Sequence, residues 1–139
     1  MTDYEMLLNT QRHRLKKALA HLAYSYKKTA DIKFDPEKSD DESLEVWESF
    51  AARFSRVADM FLARYLRIQI LKNDPGFSGS MRDFVNQGEK LGLIDNATAW
   101  MVIRELRNIT VHDYSEEDLA LFFQRLRQEC PRLLAIKLD

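Results

Sequence analysis

Apolar residues along this chain recur in steps of three and four rather than in alternation, which is the period of an amphipathic helix and not of a strand. Leu8, Leu15, Leu19, Leu22 and Tyr26 line one face of a first helix. Thr2-Asp3-Tyr4-Glu5 precedes it, a hydroxyl followed three residues later by a carboxylate, as in a capping box. Asp31 to Lys38, with Pro36 inside it, reads as a linker, and Ser39-Asp40-Asp41-Glu42 supplies a second capping box. The helix that follows carries the most regular and most aromatic stripe of the protein: Leu44, Trp47, Phe50 or Ala51, Phe54, Val57 or Ala58, Phe61, Tyr65 and Ile68. Such a stripe is core. The charged residues of this helix, Arg53, Arg56, Asp59, Arg64 and Arg67, fall mostly on other faces and read as solvated; Asp59 and Arg56 are the two that a polar cleft would recruit.

Asn73-Asp74-Pro75-Gly76-Phe77-Ser78-Gly79 is a loop marked by its Pro-Gly turn. A short helix, Met81 to Leu91, presents Met81, Phe84, Val85 and Leu91, with Gly92 at the place of a C-terminal cap glycine. Asp95 or Asn96 caps a fourth helix whose apolar side includes Ala99, Val102, Leu106 and Ile109. The β-branched pair Thr110-Val111 and the turn-prone Asp113 then weaken the helix. Ser115-Glu116-Glu117-Asp118 marks a fresh start, its acids favouring an N-terminus. The last helix uses Leu119, Phe122, Phe123, Leu126, Leu133 and Leu134, and Pro131, which has no backbone donor, is expected to kink it or end it near Glu129. The pattern as a whole predicts an all-α, antiparallel bundle of four to five helices.

Composition narrows this further. A chain of 139 residues with no internal repeat or Pro/Gly-rich boundary reads as one domain, 1–139, long enough to bury a core. Four glycines and three prolines leave room for few breaks, in keeping with long helices. A net charge of −1 argues against a duplex-coating protein but not against RNA, which a local arginine cluster can hold. The single cysteine, Cys130, excludes an internal disulfide and makes a structural zinc site a poor reading; a free, inert thiol is expected. There is no signal-peptide core and no apolar run long enough for a bilayer, so the expected compartment is the cytoplasm. His13 and His21, eight residues apart among basic neighbours, read as surface residues, since a paired metal site on a helix needs closer spacing.

Chemistry concentrates in one stretch, Arg107-Asn108-Ile109-Thr110-Val111-His112-Asp113-Tyr114. Arginine is a permanent cation suited to phosphate, and histidine titrates near neutral pH. Together they can bind a phosphodiester and move a proton on it. On a continuous helix each residue rotates by roughly 100°, so Arg107 and His112 would point about 140° apart. Arg107 would share its face with Trp100, Arg104 and Tyr114 instead. One regular helix therefore cannot aim both groups at one phosphate. Either the helix breaks after Thr110, or a second protomer supplies the complementary group across a two-fold axis. The plain alternative is a helix end: His112 placed on the dipole, Arg104 and Arg107 paired with surface acids, and Tyr114 packed in the core with its hydroxyl at the edge.

The stretch ELRNITVHDY carries an Arg-x4-His-x-Tyr motif, late in an all-α chain of this length, and in this it resembles the HEPN superfamily and, within it, the HepT-like proteins, also described as nucleotidyltransferase substrate-binding proteins. The segment GFSGSMRDFVNQGEKLGLIDNATAWMVIRELRN is similar to that family's loop, short helix and turn before the motif helix, and Phe54 with Asp59 stands where members carry a phenylalanine and an acidic residue. The likeness runs from about Leu44 onward. Where relatives often have Glu directly after the phenylalanine this chain has Ser55, which leaves the polar role on that face to Asp59.

The resemblance implies a homodimeric endoribonuclease toxin that needs no metal or other cofactor, with its cleft between two motif copies. Arg107 would hold the scissile phosphate, and His112 would act as general acid or base while the RNA 2′-OH attacks. Asn108, Arg104 and Asp59 would position the phosphate or the RNA. Tyr114 would be the residue that a partner nucleotidyltransferase antitoxin modifies with AMP, adding bulk and negative charge beside the cleft. The resemblance also allows a non-catalytic reading, a helical substrate-binding subunit of a separately encoded nucleotidyltransferase. Both readings imply a homodimer and the same partner, and neither involves a membrane.

Overall fold

The computed structural model describes residues 2–38, 40–109 and 115–138, the side chains of Glu116 and Glu117 excepted. It is an all-α bundle with no strand among the described residues. Helix α1 spans Tyr4–Asp31. Helix α2 runs over 41–73 in three stretches, α-helical at Asp41–Asp59, π-helical at Met60–Tyr65 and α-helical again at Leu66–Asn73. Helices α3 (Met81–Lys90), α4 (Ala97–Asn108) and α5 (Glu116–Leu134) complete it. Helix α2 is the central rod and touches all four others.

The aromatic stripe is core as expected. Trp47, Phe50, Phe54, Val57, Phe61 and Tyr65 are all buried, with Phe50 and Phe54 fully so. Past Tyr65 the register departs from the expectation. Leu66 and Ile70 are fully buried while Ile68 is only partly covered. The cause is the π turn, in which the Leu66 N–H donates to the Phe61 carbonyl, five residues back. One extra residue per turn turns the downstream half of the helix relative to an α-helical count.

The helix ends show which side chains do the capping. At α1 it is Asp3, whose Oδ1 accepts from Met6 N–H at 3.0 Å, and at α2 it is Asp40, whose Oδ1 accepts from Ser43 N–H at 2.7 Å. Both lie one residue after the hydroxyl-based caps that the sequence suggests. A carboxylate brings charge as well as an acceptor to the positive end of the dipole. Ser80 and Asp83 form a complete capping box at α3, Asn96 caps α4, and Ser115 caps α5 by accepting from Asp118 N–H at 3.3 Å. Gly92 ends α3 at φ +74°. Its N–H donates to Glu89 and that of Leu93 to Gly88, the paired bonds of a Schellman turn.

Pro131 does not end α5 near Glu129: the helix continues to Leu134. The last turn is held from outside, by full burial of Leu133 and by Arg132 Nη1 donating to Asp95 Oδ1 at 2.6 Å, so the single missing donor is tolerated close to the terminus.

The backbone bond from Ser43 holds the Asp40 carboxyl below its usual range, and the bond from Ser80 does the same for Asp83. A carboxylate whose folded pKa lies below its unfolded one contributes stability that is complete above the unfolded value and lost as pH falls through the folded one. The urea midpoint is therefore expected to drop as pH is lowered below the ordinary carboxylate range. Asp40→Asn, which keeps an accepting oxygen but cannot titrate, should flatten part of that fall. An unchanged profile in the variant would remove Asp40 from the account.

Candidate functional site

Helix α4 turns Ile103 and Leu106 fully into the core and lays Trp100 against Phe61, ring centroids 4.7 Å apart. Arg104 and Arg107 each follow one of the inward residues, so they emerge at the flank of the helix, half-buried beside α2. There Arg107 Nε donates to Asp59 Oδ1 at 3.3 Å. Asp59 is the last α-helical residue before the π turn, and π turns are often found where a helix re-aims side chains at a site.

These residues enclose a cavity of about 310 Å³. Ala58, Leu62, Ala63 and Met81 form its apolar wall; Asp59, Arg104, Arg107 and Asn108 form its polar one. Four of the six residues that the sequence singles out thus come together. The other two, His112 and Tyr114, lie outside the described residues. Arg56 is exposed and takes no part in the wall, while Ser55 is half-buried.

The polar wall carries two cations and one anion. Asp59 engages only Nε of Arg107, so both terminal nitrogens of the guanidinium have no partner among the described residues. That leaves a planar fork held from behind, the arrangement that accepts two oxygens of a phosphate or carboxylate. Arg104 has no ion pair among the described residues either and adds a second positive charge to the same space. Asp59 holds Arg107, through which it can position a phosphate or RNA as the resemblance implies. A carboxylate facing a phosphate directly would repel it.

Helix α4 ends at Asn108, and Ile109 is extended at φ −80° and ψ 133°. The break thus falls two residues before the one expected after Thr110. Opposed directions for Arg107 and His112 hold only on an unbroken helix; with the helix ending at Asn108, the spacing by itself does not call for a second protomer.

Other polar residues serve the scaffold. Arg53 is half-buried and not on a solvated face; its Nη1 donates to Ser25 Oγ at 2.9 Å and to the His21 carbonyl at 3.1 Å. Arg127 ties α5 to α1 through the Tyr26 carbonyl and Thr29 Oγ1, at 2.7 and 2.6 Å. His13 and His21 are exposed. Burial pushes the Cys130 thiol up to about 12, against a smaller opposing effect of Arg127, so it is protonated and inert at neutral pH. Among the described residues no three of His, Cys, Asp and Glu converge as a metal site would need, and no helix is long and apolar enough to cross a membrane.

No family model, curated protein or solved structure matches the chain.

Proposed function

We propose that the protein is an endoribonuclease toxin of the HepT type, acting without a metal ion as a homodimer and neutralised by a partner nucleotidyltransferase. The observation that carries this reading is the convergence of Asp59, Arg104, Arg107 and Asn108 on one cavity. In this role the free fork of Arg107, backed by Asp59, binds two non-bridging oxygens of the scissile phosphate. Arg104 supplies a second charge as negative charge builds on phosphorus. The RNA 2′-OH attacks, an O2′–P bond forms and the P–O5′ bond breaks. His112 acts as general acid or base, taking the 2′-OH proton or delivering one to the departing O5′. Transfer of AMP from ATP to Tyr114, with release of pyrophosphate, would add a phosphate and a nucleoside six residues along the chain from Asn108 and oppose RNA binding by charge and bulk.

The described residues support the anion-binding half of this reading, and the proton-transfer half rests on His112. The second reading, a non-catalytic substrate-binding subunit, keeps the same cavity and dispenses with His112. The two are separated by incubating purified, unmodified protein with RNA in the absence of divalent metal, beside Arg107→Ala and His112→Ala. Cleavage that both substitutions abolish supports the ribonuclease. No cleavage, or cleavage that neither affects, rejects it. For the tyrosine, incubation with the partner enzyme and ATP is expected to add one AMP by intact mass to the protein but not to Tyr114→Phe. An adduct that persists in the variant removes Tyr114 from the proposal.

A further inference from the structure

Charge is not spread evenly along α1 and α2. From Gln11 to Ala30, α1 carries six cations, Arg12, Arg14, Lys16, Lys17, Lys27 and Lys28, and no acid. From Asp40 to Glu48, at the start of α2, stand five acids and no cation. None of these residues forms an ion pair among the described residues, although the two helices pack side by side. Like charges one turn apart, Arg12 with Lys16 and Asp41 with Glu45, work against their own helices. No opposite charge among the described residues offsets that.

The two patches share a face. Arg14, Lys17, Ala20, Tyr24 and Lys28 follow one another in steps of three and four along α1, and all are exposed. Tyr24 and Lys28 line one shallow cleft with Glu42, Glu45 and Arg53 of α2, which sets the acids beside the second half of α1. Lys17 and Lys28 are eleven residues apart, about 16 Å along a helix, so the basic patch around Arg14 and Lys17 lies well apart from the acidic one. Between the patches Ala20 is small, and Tyr24 is 61% exposed. Lys28 Nζ and Arg53 Cζ lie 5.8 and 5.9 Å from the centre of the Tyr24 ring and steady it. An outward tyrosine between charged ends has the anatomy of a protein contact, an aromatic anchor within a polar rim.

The occupant has to answer both charges. RNA or an anionic bilayer would suit the basic patch and be repelled by the acids on the same face. A second copy of the chain suits both. Turned by 180° about an axis between Ala20 and Tyr24, it sets each basic patch against the other copy's acidic one and brings the two Tyr24 rings together at the centre.

We propose that this face of α1 and α2 is a self-association interface, isologous and held by charge. It is separate from the motif-to-motif contact of the ribonuclease reading, because α1 packs on α2 and α5 and has no substantial contact with α4. It does not rest on that reading. Where both contacts form, the chain assembles beyond a dimer.

Sedimentation velocity of the full chain at about 50 and about 500 mM salt tests it, since the higher salt screens the two patches from each other. Association through this face should weaken by about tenfold or more at the higher salt. Arg14→Glu with Lys17→Glu cancels the basic patch, and Glu42→Lys with Glu45→Lys cancels the acidic one. Each pair alone should lose the association. Mixed in equal amounts, the two variants should recover much of it, because the reversed residues then oppose one another. All four positions are exposed, and circular dichroism identifies any variant that has lost its fold. The inference is overturned if the chain does not associate at low salt, or if its size ignores salt and both reversals, as a motif-to-motif dimer alone would. A mixture no more associated than either variant overturns it too. So does a poly-uridylate or a phosphatidylserine vesicle that binds the basic patch while salt and the reversals leave the size of the particle unchanged.

Discussion

Arg107→Ala is expected to lower kcat/KM for RNA cleavage by about 100- to 1,000-fold, the usual cost of removing a preorganised donor to developing negative charge. It should leave the urea midpoint almost where it was. The side chains of Arg107 and Asp59 are 41% and 43% exposed, and an ion pair so open to water contributes about 1 kcal/mol or less. The separation of the two readouts is what gives the test its force. A residue kept only to close a helix end would show equal, small effects on both. Asp59→Asn should give an intermediate loss of about tenfold in cleavage, since the guanidinium stays but its Nε loses a charged partner. Arg107→Lys should not rescue, because one ammonium group cannot pair with Asp59 and also fork onto two oxygens. Full cleavage by Arg107→Ala would exclude the cavity as the catalytic site.

Phe54→Ala is expected to have the opposite signature, a large loss of stability with no direct effect on chemistry. Phe54 is fully buried in the middle of α2, under the turn that leads to Asp59. Truncating a buried phenylalanine removes its transfer energy and leaves a void, about 3–5 kcal/mol in all. Set against the roughly 5–15 kcal/mol that a domain of this kind possesses, this brings the variant close to unfolding at ambient temperature. Phe54→Leu, which refills most of the space, should cost far less. Urea denaturation followed by circular dichroism measures both. A loss below about 1 kcal/mol for the alanine variant would mean that the core around α2 collapses onto the gap, contrary to its close packing.

The contrast between these residues explains how much could be read from the chain. Phe54 is legible because burial follows periodicity, and the stripe from Trp47 to Tyr65 repeats often enough to be unmistakable. Asp59 is half legible: the sequence marks it as the acid nearest a polar face, but its Arg107 partner lies 48 positions away and is set by how α2 and α4 cross. Arg53 was illegible in the same way, because Ser25 and the His21 carbonyl come to it from α1. The caps at Asp3 and Asp40 slipped by one residue because adjacent hydroxyl and carboxylate side chains compete for the same donors. Pro131 does not end the helix near Glu129 because its cost is local, whereas Leu133 and the Asp95 pair that outweigh it are tertiary. The π turn had no signal at all. Nothing in Met-Phe-Leu-Ala-Arg-Tyr distinguishes it from α-helix, yet it decides that Leu66 and Ile70, not Ile68, face inward.

That turn also sets where α2 tolerates a change of length. Within 60–65, deletion of a single residue relaxes the π turn to an ordinary α turn, and both flanking halves keep their orientation. Anywhere else along 41–73, the same deletion rotates everything downstream by about 100°. Leu66 and Ile70 would then leave the core if the cut fell before them. Insertions have no such refuge, since the helix already holds its surplus residue. The segment beside the Arg107 cavity is thus the one stretch of the central rod whose length can shorten without refolding the rest.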